Sequence, residues 1–133
     1  MRIVLDTNVL MSGIFFSGPP YRILQAWRDG RVQFAVCLEI LAEYRQVAAR
    51  LGQRYKGIDI SSLLDLVAVH SHIVQAAPLL RPICMDRNDD IFLACALAAS
   101  TRIIVSGDRH LLAVSGWAGI RVLRPKTFID EFL

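Results

Sequence analysis

Acidic residues carry most of the chemistry that this chain of 133 residues can offer. Asp6 directly follows the apolar run Arg2–Leu5, and Asp108 follows the run Arg102–Val105 after Ser106 and Gly107. Asp89 and Asp90 stand immediately before the long apolar stretch Ile91–Ala99, and Glu43 lies inside a segment with apolar residues at 38, 41, 44, 48 and 51. If these carboxylates meet, they repel one another, and without a cation at least one must keep its proton. A hard divalent cation removes the conflict. Mg²⁺ prefers oxygen ligands and keeps waters that a substrate phosphate can replace. Such an ion polarises a phosphate, supplies hydroxide and steadies a leaving oxygen, which together are the needs of phosphodiester hydrolysis.

Whether the acids meet depends on the elements that carry them. Arg2–Leu5, Val32–Val36, Arg102–Val105 and Ile120–Leu123 read as short buried strands, and Ile73–Gln75 as a further one. Between them, helices are expected over Asn8–Phe16, from Pro19 to Asp29-Gly30, over Leu38–Leu51, Ile60–His70 and Asp89–Ala99, over Asp108–Val114, and from Pro125 onward. Strands that are almost unbroken apolar runs, alternating with helices, indicate an α/β fold with a central parallel sheet covered on both faces. Ligands in such folds bind beyond the carboxyl ends of the strands. Asp6 and Asp108 fall at that edge, and Asp89, Asp90 and Glu43 lie on helices that begin there. At about 100° per residue Glu43 sits beside Ile40 and Val47, next to the buried stripe, whereas Glu39 faces away from it.

Each acid also has a plainer reading. Asp6, Asp89, Asp90 and Asp108 all occupy positions where a side chain caps a helix, and Glu43 could be a solvated charge. Their arrival at one edge of one sheet is what favours a site. The remaining polar candidates are weaker. His70 and His72 share a face only on a strand, His110 reads as a surface residue, and Trp27 and Trp117 read as packing. The net charge is +3, and thirteen of the fifteen basic residues are arginine, whose planar fork suits phosphate. Three well-separated cysteines, Cys37, Cys84 and Cys95, read as reduced core thiols. No apolar stretch approaches the roughly 20 residues of a membrane span, and the opening apolar run is broken by Asp6-Thr7-Asn8, unlike a secretory signal. A cytoplasmic protein made of one domain, residues 1–133, is expected.

Several segments resemble a known family. Val4-Leu5-Asp6-Thr7-Asn8-Val9-Leu10 resembles the opening of PIN domains, and Glu39-Ile40-Leu41-Ala42-Glu43-Tyr44 their second acidic segment. Asp86-Arg87-Asn88-Asp89-Asp90 with Ile91–Leu97 resembles the third, and Ile104-Val105-Ser106-Gly107-Asp108 with Leu111-Leu112 the fourth. The ending Arg124-Pro125-Lys126-Thr127-Phe128 is similar too, so the likeness runs in order through nearly the whole chain. It implies a three-layer α/β/α fold and Mg²⁺- or Mn²⁺-dependent endonucleolytic cleavage of single-stranded RNA. It also implies a VapC-like toxin, inhibited by a cognate antitoxin and often homodimeric. Carried over by position, the acidic set is Asp6, Glu43, Asp90 and Asp108, with Asp6 and Asp90 the main metal ligands and Asn8 and Ser106 in support. The adjacent Asp89 permits a one-residue slip. Arg87 and Arg109, beside these acids, are the candidates for holding substrate phosphate. The chain departs from the family in having Cys37, a weak acceptor, where Ser or Thr often caps the helix bearing the glutamate.

Two other classes compete. A phosphoacceptor receiver domain needs paired acids at its first strand and a late lysine, but the first strand here supplies only Asp6, and Lys126 follows the last strand. A PIN fold kept only to bind RNA or a protein is the stronger rival, and divalent-cation binding separates it from an enzyme.

Overall fold

The computed structural model describes residues 1–133. Five strands, β1 (Arg2–Leu5), β2 (Gln33–Val36), β3 (His72–Ile73), β4 (Ile103–Val105) and β5 (Arg121–Leu123), form one sheet in the order β3-β2-β1-β4-β5. All neighbours are parallel. Ile3, Val4 and Leu5, whose side chains alternate between the two faces, are all at most 1% exposed, so both faces are covered. Seven helices cover them: α1 (Thr7–Phe15), α2 (Pro19–Arg28), α3 (Leu38–Gly52), α4 (Ile60–His70), α5 (Asp90–Ala98), α6 (Arg109–Leu112) and α7 (Pro125–Phe132). This is the α/β architecture with a central parallel sheet that the strand pattern implied.

Local chemistry explains the boundaries. Pro19 and Pro20 occupy the first turn of α2, where a missing N–H costs nothing. Gly18 just before them has φ +115°, a conformation that disfavours a side chain. Within α1, a Cβ on Gly13 would lie 2.8 Å from Leu24 and 2.9 Å from the Pro20 carbonyl, so glycine lets α1 and α2 pack closely. Cys37 stands at the N-cap of α3 and makes no side-chain capping bond. α5 is apolar on nearly every side and buries Phe92, Leu93, Ala94, Cys95 and Ala96. A single cluster of 34 buried apolar residues surrounds the sheet. The three cysteines are buried and unpaired, and no helix is long and apolar enough to cross a membrane.

Two departures from expectation matter. The edge strand β3 has only two residues, because after Val74 donates to the Val36 carbonyl at 2.8 Å the chain leaves the sheet and runs without regular structure from 74 to 86. A 3-10 turn, Arg87–Asp89, precedes α5, which begins at Asp90 rather than Asp89. The register of β1 against β4 positions the first acid. Leu5 lies opposite Val105, so the next residues, Asp6 and Ser106, emerge side by side at the carboxyl edge.

Candidate active site

Beyond that edge is a recess of about 230 Å³ lined by Asp6, Thr7, Asn8, Glu43, Asp86, Asn88, Asp89 and Asp108, with Val47 and Phe92 as its apolar walls. Larger hollows exist, one of about 480 Å³ beside residues 76–82 and one of about 610 Å³ beside Trp27 and His70. Neither gathers more than two acids, so chemistry rather than size selects the small one.

Asp6 is buried, 6% exposed, at the N-cap of α1. It makes no side-chain capping bond there, contrary to the plain capping reading. Its Oδ2 instead accepts the Ser106 hydroxyl at 2.6 Å. Ser106 in turn accepts the Asp108 backbone N–H at 2.9 Å, so one buried hydroxyl ties two acids together. Burial raises the Asp6 carboxyl above its ordinary range, and the charges of Asp108 and Glu43 add to the rise against the bonds from Ser106 and Thr7. Asp108 both caps and lines the recess, since it accepts the His110 backbone N–H at 3.3 Å. Glu43 projects inward from the second turn of α3 and accepts the Thr7 hydroxyl. Tyr44, the next residue, is fully buried and donates to the Leu5 carbonyl at 2.5 Å. Glu39 is exposed, as its place on the helix implied.

The third acidic segment is placed differently from the expected register. Asp89, not Asp90, enters the recess. The 3-10 turn turns Asp89 toward Asp108, while Asp90 starts α5 and points away. The Asp90 carboxylate accepts the backbone N–H groups of Cys84 at 2.7 Å and Ile83 at 3.1 Å, pinning the irregular segment to the helix. Burial alone would raise its affinity for a proton. The N–H and thiol of Cys84, the Ile83 N–H and the Arg87 charge outweigh that and hold it low. Asp89 is pushed up to about 8 by burial, by its hydrogen bond and repulsion with Asp108, and by the charges of Asp86 and Asp6. Asp108 moves the other way: its own burial is outweighed by the Asp89 hydrogen bond, the His110 N–H and the charges of His110 and Arg109. Within this pair Asp89 is the carboxyl that gives up its proton less readily.

Of the supporting candidates, Asn8 lines the recess and Ser106 lies beneath it. Arg87 and Arg109 are exposed, and Arg87 faces the neighbouring 480 Å³ hollow with Asp90. Thr7, Asp86 and Asn88 join the recess without having been expected there. Asp86 and Asn88 sit inside the third acidic segment, but nothing in their spacing marks them.

No three His, Cys, Asp and Glu side chains close into a ready-made metal cage. The donor set nonetheless suits a hard cation. It consists of carboxylates in an open recess, and one of them holds a proton that a cation would displace.

A parallel α/β sheet with an acidic recess at its carboxyl edge defines the class of fold. The chain matches the family model of the PIN domain over residues 2–110, and it belongs to that family. Among solved structures it is similar to VapBC2 from Rickettsia felis, bound to a DNA fragment from their promoter, at a TM-score of 0.60 and 15% identity, covering 93% of this chain and 98% of that one. It is also similar to FitAcB from Neisseria gonorrhoeae, at a TM-score of 0.53 and 21% identity over 95% and 99% of the two chains. No curated protein matches it.

Proposed function

We propose that this chain, a single domain, is a Mg²⁺- or Mn²⁺-dependent endoribonuclease that cuts single-stranded RNA in the cytoplasm. In this reading it is the toxin of a toxin–antitoxin pair and acts as a homodimer. The observation that carries the catalytic reading is the crowding of Asp6, Glu43, Asp89 and Asp108 into one recess with no basic side chain among its lining residues. An acidic cluster arranged only for stability would have paired charges.

In this reading Asp6, Asp89, Asp108 and Glu43 hold the cation, and Asp89 takes the place that the family position gave to Asp90. The bound ion would polarise the scissile phosphate and offset the charge that develops on it. The chain's own groups prepare for this. Ser106 fixes Asp6 and Asp108 in one arrangement. Asn8 offers an amide at the mouth of the recess, where a phosphate or sugar oxygen can accept from it. Arg87 and Arg109 lie outside the recess and draw in the polyanion. Membership of the family and the likeness to two solved complexes support the partner. An antitoxin that places a basic side chain among these acids would block both cation and phosphate.

The test is incubation of the purified protein with mixed cellular RNA, with and without Mg²⁺, followed by sequencing of the new ends. Cation-dependent cleavage lost in Asp6→Asn is expected. A wild type that neither cuts nor binds Mg²⁺ overturns the enzymatic reading in favour of a PIN fold used only for binding. Growth arrest on expression, relieved by the Asp6→Asn variant, tests the toxin assignment separately.

A further inference from the structure

Two of the covalently distant pieces that line the recess are the end of β1 with the start of α1, and the second turn of α3. The pairing of β1 with β2 brings the start of α3 to the same edge, and α1 packs against α3. Two side-chain bonds then tie the residues around Asp6 to those around Glu43. Tyr44, only 1% exposed, donates to the Leu5 carbonyl at 2.5 Å. Thr7, only 4% exposed, donates its hydroxyl to Glu43. Leu5 and Thr7 flank Asp6, and Glu43 and Tyr44 are consecutive. The pair of bonds therefore brackets Asp6 on one side and ties α3 down on the other.

We infer that Thr7 is a positioning residue that sets the place of the Glu43 carboxylate relative to Asp6, with the Tyr44 bond as its anchor. This rests on the cation-binding reading of the recess. Two facts separate Thr7 from an ordinary first-turn threonine. Its hydroxyl is turned outward to another helix rather than back to the backbone of its own. It is also the only side-chain donor bonded to the Glu43 carboxylate. The bond occupies one carboxylate oxygen and leaves the other for a ligand. A group that holds a ligand in this way typically changes metal affinity by 10–100-fold when it is removed, with the ligand itself intact.

The experiment uses the full chain and Mg²⁺ or Mn²⁺ as the probe, titrated calorimetrically without RNA. Thr7→Val keeps the shape and removes the donor. A loss of about tenfold or more in cation affinity is expected, with most of it recovered in Thr7→Ser. In a Glu43→Ala background Thr7→Val should have no further effect on affinity, because the residue it positions is gone. Thermal melts of the wild type and the four variants accompany the titrations and show whether each is folded. If Thr7→Val unfolds, Thr7→Ser against Thr7→Ala decides by the same comparison. Affinity unchanged in folded Thr7→Val, or an equal loss with and without Glu43, overturns the inference. Failure of the wild type to bind either cation would instead overturn the proposed function, so the two failures are distinguishable.

Discussion

The Ser106 hydroxyl donates to Asp6 Oδ2 at 2.6 Å, joining residues 100 positions apart that the pairing of β1 with β4 places side by side. Ser106 Oγ also accepts the Asp108 N–H, so its proton and one of its lone pairs are both directed within the acidic edge. Ser106→Ala should therefore remove two bonds at once. Because one goes to a buried carboxylate, a loss of about 1.5–3 kcal/mol in stability is expected, read from urea midpoints. Cleavage should fall by about 10–100-fold, the usual scale for a lost supporting contact. A Ser106→Ala protein as stable and active as wild type would show that the bond is incidental.

The neighbouring aspartates should separate cleanly. Asp89→Asn is expected to abolish the rise in melting temperature on adding Mg²⁺. For wild type at a hundredfold excess over Kd, that rise corresponds to about 2.7 kcal/mol. Asp90→Ala should keep a cation response yet unfold more easily, by about 1–3 kcal/mol, since the N–H groups of Ile83 and Cys84 lose their acceptor. The reverse pattern in differential scanning fluorimetry would return Asp90 to the ligand position expected from the family register.

The pH dependence arises from the Asp89 proton. Its carboxyl titrates near 8 in the native protein and near 3.8 as a free side chain. Between those values the native state binds more protons than the unfolded one, so metal-free stability falls as pH rises through that window. The carboxylates held low, Asp108 and Asp90, act below the window and in the opposite sense. Denaturant melts of metal-free protein from pH 5 to 8 should show the decline, and Asp89→Asn should reduce it, leaving the part due to Asp6, which burial also raises. Cation affinity should rise over the same range as the proton becomes easier to displace. A flat wild-type profile would mean that Asp89 is ionised throughout.

RNA binding should weaken steeply with salt. Alanine at both Arg87 and Arg109 should flatten the slope of log K against log salt by about one to two phosphate contacts. An equal slope in the double variant, measured with a catalytically silent Asp6→Asn background, would remove these arginines from the path of the nucleic acid.

Much of this arrangement is legible in the residues. Strands covered on both faces must be continuous apolar runs, so β1, β2, β4 and β5 announce themselves. Parallel order then puts the residue after each strand at the carboxyl edge, which is how Asp6 and Asp108 are found without coordinates. Glu43 is located by helical phase. The Asp89–Asp90 pair resists the same logic because a 3-10 turn advances about 120° per residue rather than 100°. One residue assigned to the turn instead of the helix changes which acid faces inward. Thr7 is hidden for another reason: a threonine at a first helical position looks like part of a cap, and its partner lies 36 residues away. The brevity of β3 reflects its place at the sheet edge, where only one neighbour holds it.

The sheet order has a consequence for synthesis. β1 is made first but lies in the middle, between β2 and β4, and β4 leaves the ribosome only after some hundred residues have been translated. Until then Asp6 has no Ser106 beside it, Asp108 does not exist, and one flank of β1 lacks its partner. The acidic edge therefore closes late in translation, when about four-fifths of these 133 residues have already been made. At rates of about 5–20 residues per second, roughly 5–20 seconds separate the synthesis of Asp6 from that of Asp108. The topology acts as a timer: a partly made chain carries the residues of the site without the site.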